Sequence, residues 1–477
     1  MVTLHDTACP TIINLFEMAG AGPLFFPDIT PRSYRSLSIS SSSQQTERNK
    51  AYNANLSNSV LPSRHRYNAN GCGENAKILE EGHVAQIEKI PSNMTSAPGL
   101  KPKPPPVDYV TKPFSFRHGR RYLRDPNITY PLPVDLVELH RQNLRTLLLM
   151  NVFGAPFCST LFDDQPPKKV LEVACGTALW SSACHDYFKR ENHTNISFTG
   201  LDIAPLAPDH KRQGMDWRFV QHDLRKLPLP FEDEEFDFIF AKDTSFCRLN
   251  PMAELMRYLK PDGVIEIWES DVQIRCILPY PSKVHGVAEE DTDQAEETAT
   301  YILTSETGFT QAQNAYVQDF NSWAKKAFDK LKVTTTPCAI MSVASKESSV
   351  YKDVGSQRVA VPFGEVRWER EGIGGELVDK KEKSDPKKPV RQFASRIRES
   401  RVSHKRLTND QAALRRTALT TTIGLIESLE PILRVESGMK QDEWDRWWAG
   451  LNADLLENEG TLNGECHEIG AWWARKK

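Results

Sequence analysis

The sequence predicts an α/β fold, a doubly wound and mostly parallel sheet with helices on both faces, and three observations carry that prediction. Val170 to Thr177 reads V-L-E-V-A-C-G-T, an apolar run that stops at a small-residue corner and feeds the helical pattern Ala178–Arg190. A second strand-like run, Ile196–Leu201, closes on an acid, Asp202. Downstream, strands and helices keep alternating at the spacing of parallel strands joined by crossovers.

The corner after Val173 matters chemically. Small side chains let a ligand approach the backbone closely, and the helix start that follows presents free N–H groups. A carboxylate at the tip of the neighbouring strand, Asp202, can accept from both hydroxyls of a ribose.

The remaining elements follow in order. Met215–Gln221 reads as the third strand and runs into His222-Asp223-Leu224. Phe236–Ala241 is the fourth, Pro251–Leu259 a short amphipathic helix, Lys260-Pro261-Asp262-Gly263 a turn and Val264–Trp268 the fifth strand. The acidic run Glu289–Glu297 reads as a solvated loop. Asn314–Leu331 is an amphipathic helix with Tyr316, Phe320, Trp323 and Phe328 at helical spacing, a pattern that serves packing. Arg358–Pro362 reads as the sixth strand, and helices follow over Asn409–Leu433 and Gln441–Leu456. Trp444, Trp447 and Trp448 in the last helix have the period of a packed face. Cys466–Arg475 has strand character.

Ahead of this core, residues 1–108 read as a disordered region, with a serine run at Ser36–Ser43 and a stiff K-P-K-P-P-P linker at Lys101–Pro106. Residues 109–167 read as a helical cover and 168–477 as the main domain, with a Lys/Arg/Glu-rich disordered insertion over about 371–406. Both disordered segments are available to protein partners.

Composition bounds the classes. Hydrophobic residues are 39% of the chain and Pro numbers 31, consistent with long unstructured segments. A net charge of −3 makes no case for nucleic-acid or membrane binding. Nine cysteines without a C-x-x-C pair speak against a disulfide framework and a metal site, and for an intracellular protein, cytoplasmic or nuclear. Cys175, Cys184 and His185 lack a fourth neighbouring ligand for zinc.

Taken together, L-E-V-A-C-G-T-A, G-L-D-I-A-P at Gly200–Pro205, Q-H-D-L at Gln221–Leu224, F-D-F-I at Phe236–Ile239 and L-K-P-D-G at Leu259–Gly263 resemble the class I S-adenosylmethionine (SAM) dependent methyltransferases. The resemblance implies a seven-stranded Rossmann-like sheet whose last strand is antiparallel and inserts beside strand five. It implies SAM as cofactor, held by Glu172, Ala174, Cys175, Gly176, Thr177, Asp202, Ile203, Asp223, Leu224 and Asp243. Glu172 would meet the amino-acid part of SAM, Asp202 the ribose, and Asp223 with the Leu224 N–H the adenine. One departure stands out: the usual corner has three glycines, and here Ala174 and Ala178 flank Gly176. Arg120, Tyr122, Tyr130, Leu132, Pro133, Asp135, Glu138 and Arg141 resemble the pre-domain block of filamentous-fungal LaeA-like methyltransferases, whose amino-terminal helices cover the cofactor cleft.

An activated sulfonium needs positioning more than covalent help, and a base only where the acceptor must lose a proton. Asp243 and His222 are the candidates for that role, although His222 beside Asp223 equally suits a hydrogen-bonding role. The acceptor is left open between a small molecule and a protein side chain. Two further functions stand beside transfer: a regulatory protein of LaeA-like type that keeps the fold and acts through partners in the nucleus, and a nicotinamide dehydrogenase, which the absence of G-x-G-x-x-G disfavours.

Overall fold

The computed structural model describes residues 109, 111–159, 162, 165–247, 252–279, 288–304, 307–344, 351–371, 407–457 and 460–477. The segments expected to be disordered, 1–108 and 371–406, lie outside these residues, residue 371 excepted.

The described chain opens with a hairpin, where a purely helical cover was expected. β1 (Phe114–Arg117) pairs antiparallel with β2 (Arg120–Leu123), and His118 and Gly119 make the turn with positive φ. Four-residue strands are too short for an alternating pattern to register in sequence. α1 (Leu136–Phe153) follows, its first turn capped by the Asp135 side chain, which accepts from the Glu138 N–H, and its end closed by Gly154 at φ 76°. Arg120 grips both Asp135 oxygens at 2.7 Å, which fastens the hairpin to the helix.

The expected core then appears in the expected order: β3 (Lys169–Val173), α2 (Leu179–Arg190), β4 (Ser197–Asp202), β5 (Asp216–Gln221), β6 (Phe236–Lys242), α3 (Met252–Tyr258) and β7 (Leu259–Ser270). These five strands are parallel and ordered β5-β4-β3-β6-β7. Strand order reverses at β3, so a crevice opens at the carboxyl ends of β3 and β4. Side chains alternate across the sheet: Val170, Phe238 and Phe240 join one core, and Leu171, Val173, Ile239 and Ile265 the other. Trp180 of α2 lies flat on Phe240 with ring centroids 3.8 Å apart. Burying such a side chain contributes about 1.5–3 kcal/mol.

Beyond β7 come β8 (Arg275–Ile277), α4 (Glu289–Thr298), β9 (Tyr301–Ile302), β10 (Phe309–Gln311), α5 (Ala315–Leu331) and α6 (Pro337–Ala344). β11 (Tyr351–Pro362), α7 (Arg367–Arg370), α8 (Asn409–Ser428), α9 (Glu430–Ser437), α10 (Gln441–Glu457) and β12 (Glu465–Lys476) complete the chain. β12 runs antiparallel between β7 and β11, and the short β8, β9 and β10 extend the sheet to ten strands among the described residues. The fold is thus the doubly wound α/β sheet the sequence predicted, seven core strands with a three-strand margin.

Three local expectations are corrected. The acidic run forms α4, a helix instead of a loop: its acids Glu289, Glu290 and Asp291 sit in the first turn, where the dipole favours them, while Ala295 and Thr298 are buried. Lys260–Gly263 is not a separate turn but part of β7, bulged out of register against β6, with Lys260 paired to Asp237 at 2.7 Å. The helix from Asn409 ends at Ser428 and restarts at Glu430, because Pro431 in the new first turn has no N–H to continue the ladder. Trp323, Trp444 and Trp447 pack with centroids 4.8–6.1 Å apart in the core.

Candidate active site

A cavity of about 140 Å³ lies at the carboxyl ends of β3, β4 and β5, roofed by the chain that precedes β3. The roof is held by apolar contact: Leu123 and Val134 cluster with Ala204, and Ile128, Ile203 and Leu206 pack around them.

The floor is the corner after β3. Ala174, Gly176 and Ala178 all take positive φ, at 52°, 52° and 55°. Left-handed alanine costs about 1 kcal/mol or more, so the two alanines are strained into a path natural for glycine. Three hydrogen bonds hold them there: Cys175 N to Leu201 O at 3.1 Å, Ala178 N to Cys175 O at 2.7 Å and Gly176 N to Asp202 Oδ2 at 2.8 Å. Among the described residues, no atom outside its chain neighbours stands within 4 Å of where a Gly176 Cβ would lie. Bare backbone therefore faces open space.

Asp202 stands beside it at the end of β4. Its Oδ1 accepts from Ala204 N at 3.0 Å and its Oδ2 from Gly176 N, leaving one lone pair on each oxygen for a diol. Burial pushes this carboxyl up, against the pull of those backbone N–H groups.

Glu172 does not line the cavity. Alternation on β3 turns it toward α2, where it accepts from Ser181 N at 3.1 Å and Ser181 Oγ at 2.5 Å. Burial raises its carboxyl to about 7, only partly opposed by Ser181. Cys175 is likewise buried away from the cavity, and burial pushes its thiol well up. Thr177 donates to Asn143 Oδ1 at 2.6 Å, a strut between the corner and α1. Of the eleven residues the sequence singled out, these three stand outside the lining; Ala174, Gly176, Asp202, Ile203, His222, Asp223, Leu224 and Asp243 are in it.

Asp223 is gripped by Arg225, whose Nη2 reaches Oδ2 at 2.7 Å and whose Nε reaches Oδ1 at 2.9 Å. The same guanidinium holds Asp125 of the roof at 2.7 Å. Burial raises the Asp223 carboxyl, but Arg225 outweighs it and the group stays below the usual carboxylate range. His222 turns its Nε2 to Lys226 O at 2.7 Å. That contact satisfies one ring nitrogen, and the residue is half-buried at the cavity wall.

Asp243 sits at the end of β6 with φ 53°. Arg145 of α1 and Lys242 both hold it at 3.0 Å. Burial raises this carboxyl, yet the two cations hold it well below its ordinary range. It is ionised and doubly paired, a poor proton acceptor.

Sequence reasoning missed Arg145, Gln142, Phe246, Ser270, Val272, Leu425 and His467, which also line the cavity. They come from α1, the ends of β6 and β7, α8 and β12, and only folding brings them together. Tyr130, Leu132 and Arg141, also in the lining, carried a signal in the pre-domain block.

Residues 170–263 match the family described as "Methyltransferase domain". A phthiotriol/phenolphthiotriol dimycocerosates methyltransferase of Mycobacterium tuberculosis is 33% identical over 128 residues, 23% of this chain and 44% of that protein. A demethylmenaquinone methyltransferase of Staphylococcus saprophyticus is 34% identical over 109 residues, 22% of this chain and 45% of that protein. The chain thus spans less than half the length of the curated relatives it matches. Among solved structures, a putative sarcosine dimethylglycine methyltransferase from Galdieria sulphuraria covers 71% of this chain and 84% of its own at 12% identity and a TM-score of 0.29.

Proposed function

We propose that this chain, whose residues 170–263 match a methyltransferase domain, is a class I SAM-dependent methyltransferase acting on a small-molecule acceptor inside the roofed cavity. One observation carries the reading: a left-handed corner, Ala174, Gly176 and Ala178, whose central glycine faces open space beside a carboxylate with two spare lone pairs. Strain of this kind persists where the surroundings over-determine it, and here it keeps backbone bare for a ligand.

The residues fit SAM by their chemistry. Asp202 would take the ribose hydroxyls, and Ile203 and Leu224 would flank the adenine. Asp243 and Arg145 offer one charge of each sign to the ammonium and carboxylate of the amino-acid end. Glu172 acts as a positioning residue, fixing the start of α2 through Ser181. SAM supplies a methyl group already activated on sulfur, so the chain's part is to orient it and exclude water. The roof over Ile203 and Leu206 does the second.

Calorimetry with S-adenosylhomocysteine (SAH) tests the reading. Wild type should bind it and ignore NADH, and Asp202→Ala should lose at least 10-fold in affinity. Methyl transfer from labelled SAM to cell extract separates an enzyme from a regulatory protein of the same fold: tight SAH binding with no labelled product favours the regulator.

A further inference from the structure

At the deep end of the cavity β7 and β12 run side by side, with Ile469 opposite Ser270 and Asp271 N donating to Glu468 O at 3.0 Å. Alternation then puts Ser270, Val272, Ile469 and His467 on one face, the face that carries α1 and α8. The side chains of Asp271 and Glu468 go to the other face, where both pair with Arg275.

Two features of the cavity face have no structural explanation. Ser270 is 2% exposed and lines the cavity, and its hydroxyl has no hydrogen-bond partner among the described residues. A buried hydroxyl left unpaired is destabilising, a penalty a bound ligand would relieve. His467, equally buried, places Nε2 at 2.5 Å from Asp271 O. A carbonyl only accepts, so Nε2 carries the proton and Nδ1 keeps its lone pair. Thr422 Oγ1 lies 3.4 Å from Nδ1 but donates to Ala418 O at 2.8 Å.

We infer that Ser270 and His467 form the acceptor subsite, and that it takes a hydroxyl compound for O-methylation. The inference rests on the methyltransferase reading above. The acceptor hydroxyl lies between the two: Ser270 Oγ donates to the acceptor oxygen, and its O–H points at His467 Nδ1. As the oxygen bonds to the methyl carbon, the carbon–sulfur pair stays on sulfur and the hydroxyl proton passes to Nδ1, from which it leaves to solvent.

Burial first, then Arg145 and Arg141, hold the His467 imidazole down to about 3 against Asp243 and the Asp271 carbonyl. It is neutral at physiological pH and a weak base, one that takes the proton only as the oxygen bonds to the methyl and becomes strongly acidic.

Three measurements on the full chain test this. SAH calorimetry on wild type, Ser270→Ala and His467→Gln should give affinities within about 2-fold of one another; failure of wild type to bind overturns the parent reading and this one with it. With a protein-free extract as acceptor pool, Ser270→Ala should raise the acceptor KM about 10-fold, and His467→Gln should lower kcat about 100-fold or more with KM little changed. The labelled product should be a methyl ether, stable to base and cleaved by hydriodic acid; a base-labile ester or an N-methyl product overturns the proposal while leaving the parent reading intact. Nitrogen-15 histidine spectra of wild type, which do not depend on a variant folding, should show His467 with a bare Nδ1 at pH 7, and a protonated Nδ1 overturns it.

Discussion

Arg145 grips Asp243 through two contacts, Nη2 to Oδ1 at 3.0 Å and Nε to Oδ2 at 3.3 Å, and so ties the helix before the sheet to the end of its fourth parallel strand. The pair is largely shielded, with side chains 8% and 18% exposed. Removing Arg145 leaves the shielded carboxylate to Lys242 alone. Arg145→Met should cost about 3 kcal/mol in denaturant unfolding and lower SAH affinity by an order of magnitude. The double variant with Asp243→Asn should recover part of the stability but not the affinity, since the amide needs no counter-charge yet cannot meet an ammonium as an anion does.

The strained corner predicts an asymmetry between two similar substitutions. At Ala174, half-buried and on the cavity, glycine relieves the left-handed strain and should stabilise the protein by about 0.5–1 kcal/mol. Ala178 has the same φ but is fully buried, and loss of its methyl costs about 0.8 kcal/mol. Ala178→Gly should therefore leave the melting temperature nearly unchanged while Ala174→Gly raises it by a few degrees, as scanning calorimetry would read.

Glu172 predicts a pH dependence with a definite sign. Its carboxyl moves from an ordinary 4.5 to about 7 in the folded protein, so between those values the folded state keeps a proton that the unfolded chain has released. Unfolding gives that proton up, and stability falls as pH rises through the window. Glu172→Gln removes the titration. The margin by which wild type out-melts the variant should shrink by about 5 °C between pH 5 and pH 8; a margin that grows would contradict the assignment.

Arg225 bridges Asp223 of the sheet to Asp125 of the roof, partly in solvent with 29% of its side chain exposed. Exposed ion pairs contribute about 0–1 kcal/mol, so Arg225→Met should barely change global stability. Its effect should be local: faster proteolytic cleavage near Asp125 and weaker SAH binding. SAH should suppress the cleavage in wild type.

Much of the fold was legible because it is written in short-range pattern. Val170–Val173, Phe236–Ala241 and Val264–Trp268 alternate between two cores, and the continuous apolar run of a strand buried on both faces needs no knowledge of its neighbours. Asp202 and Gly176 were legible for the same reason, each lying at the end of a strand that names its own exit. The acidic helix α4 was not, since its stability comes from Ala295 and Thr298 packing under an otherwise solvated surface, which local charge density conceals. Glu172 was misdirected by one register: position predicted the strand end, but the side of the sheet on which a carboxylate finds its partner depends on where α2 lies.

The sequence by itself determined the parallel sheet, the corner after β3 and the carboxylate beside it, because each is encoded within a few consecutive residues. Only the tertiary structure decided what closes the cavity and what lies at its deep end. Arg145, Ser270 and His467 are separated by long stretches of chain and meet because β12 runs antiparallel beside β7 under α1 and α8. Their placement follows from long-range pairing and burial, which no local pattern carries.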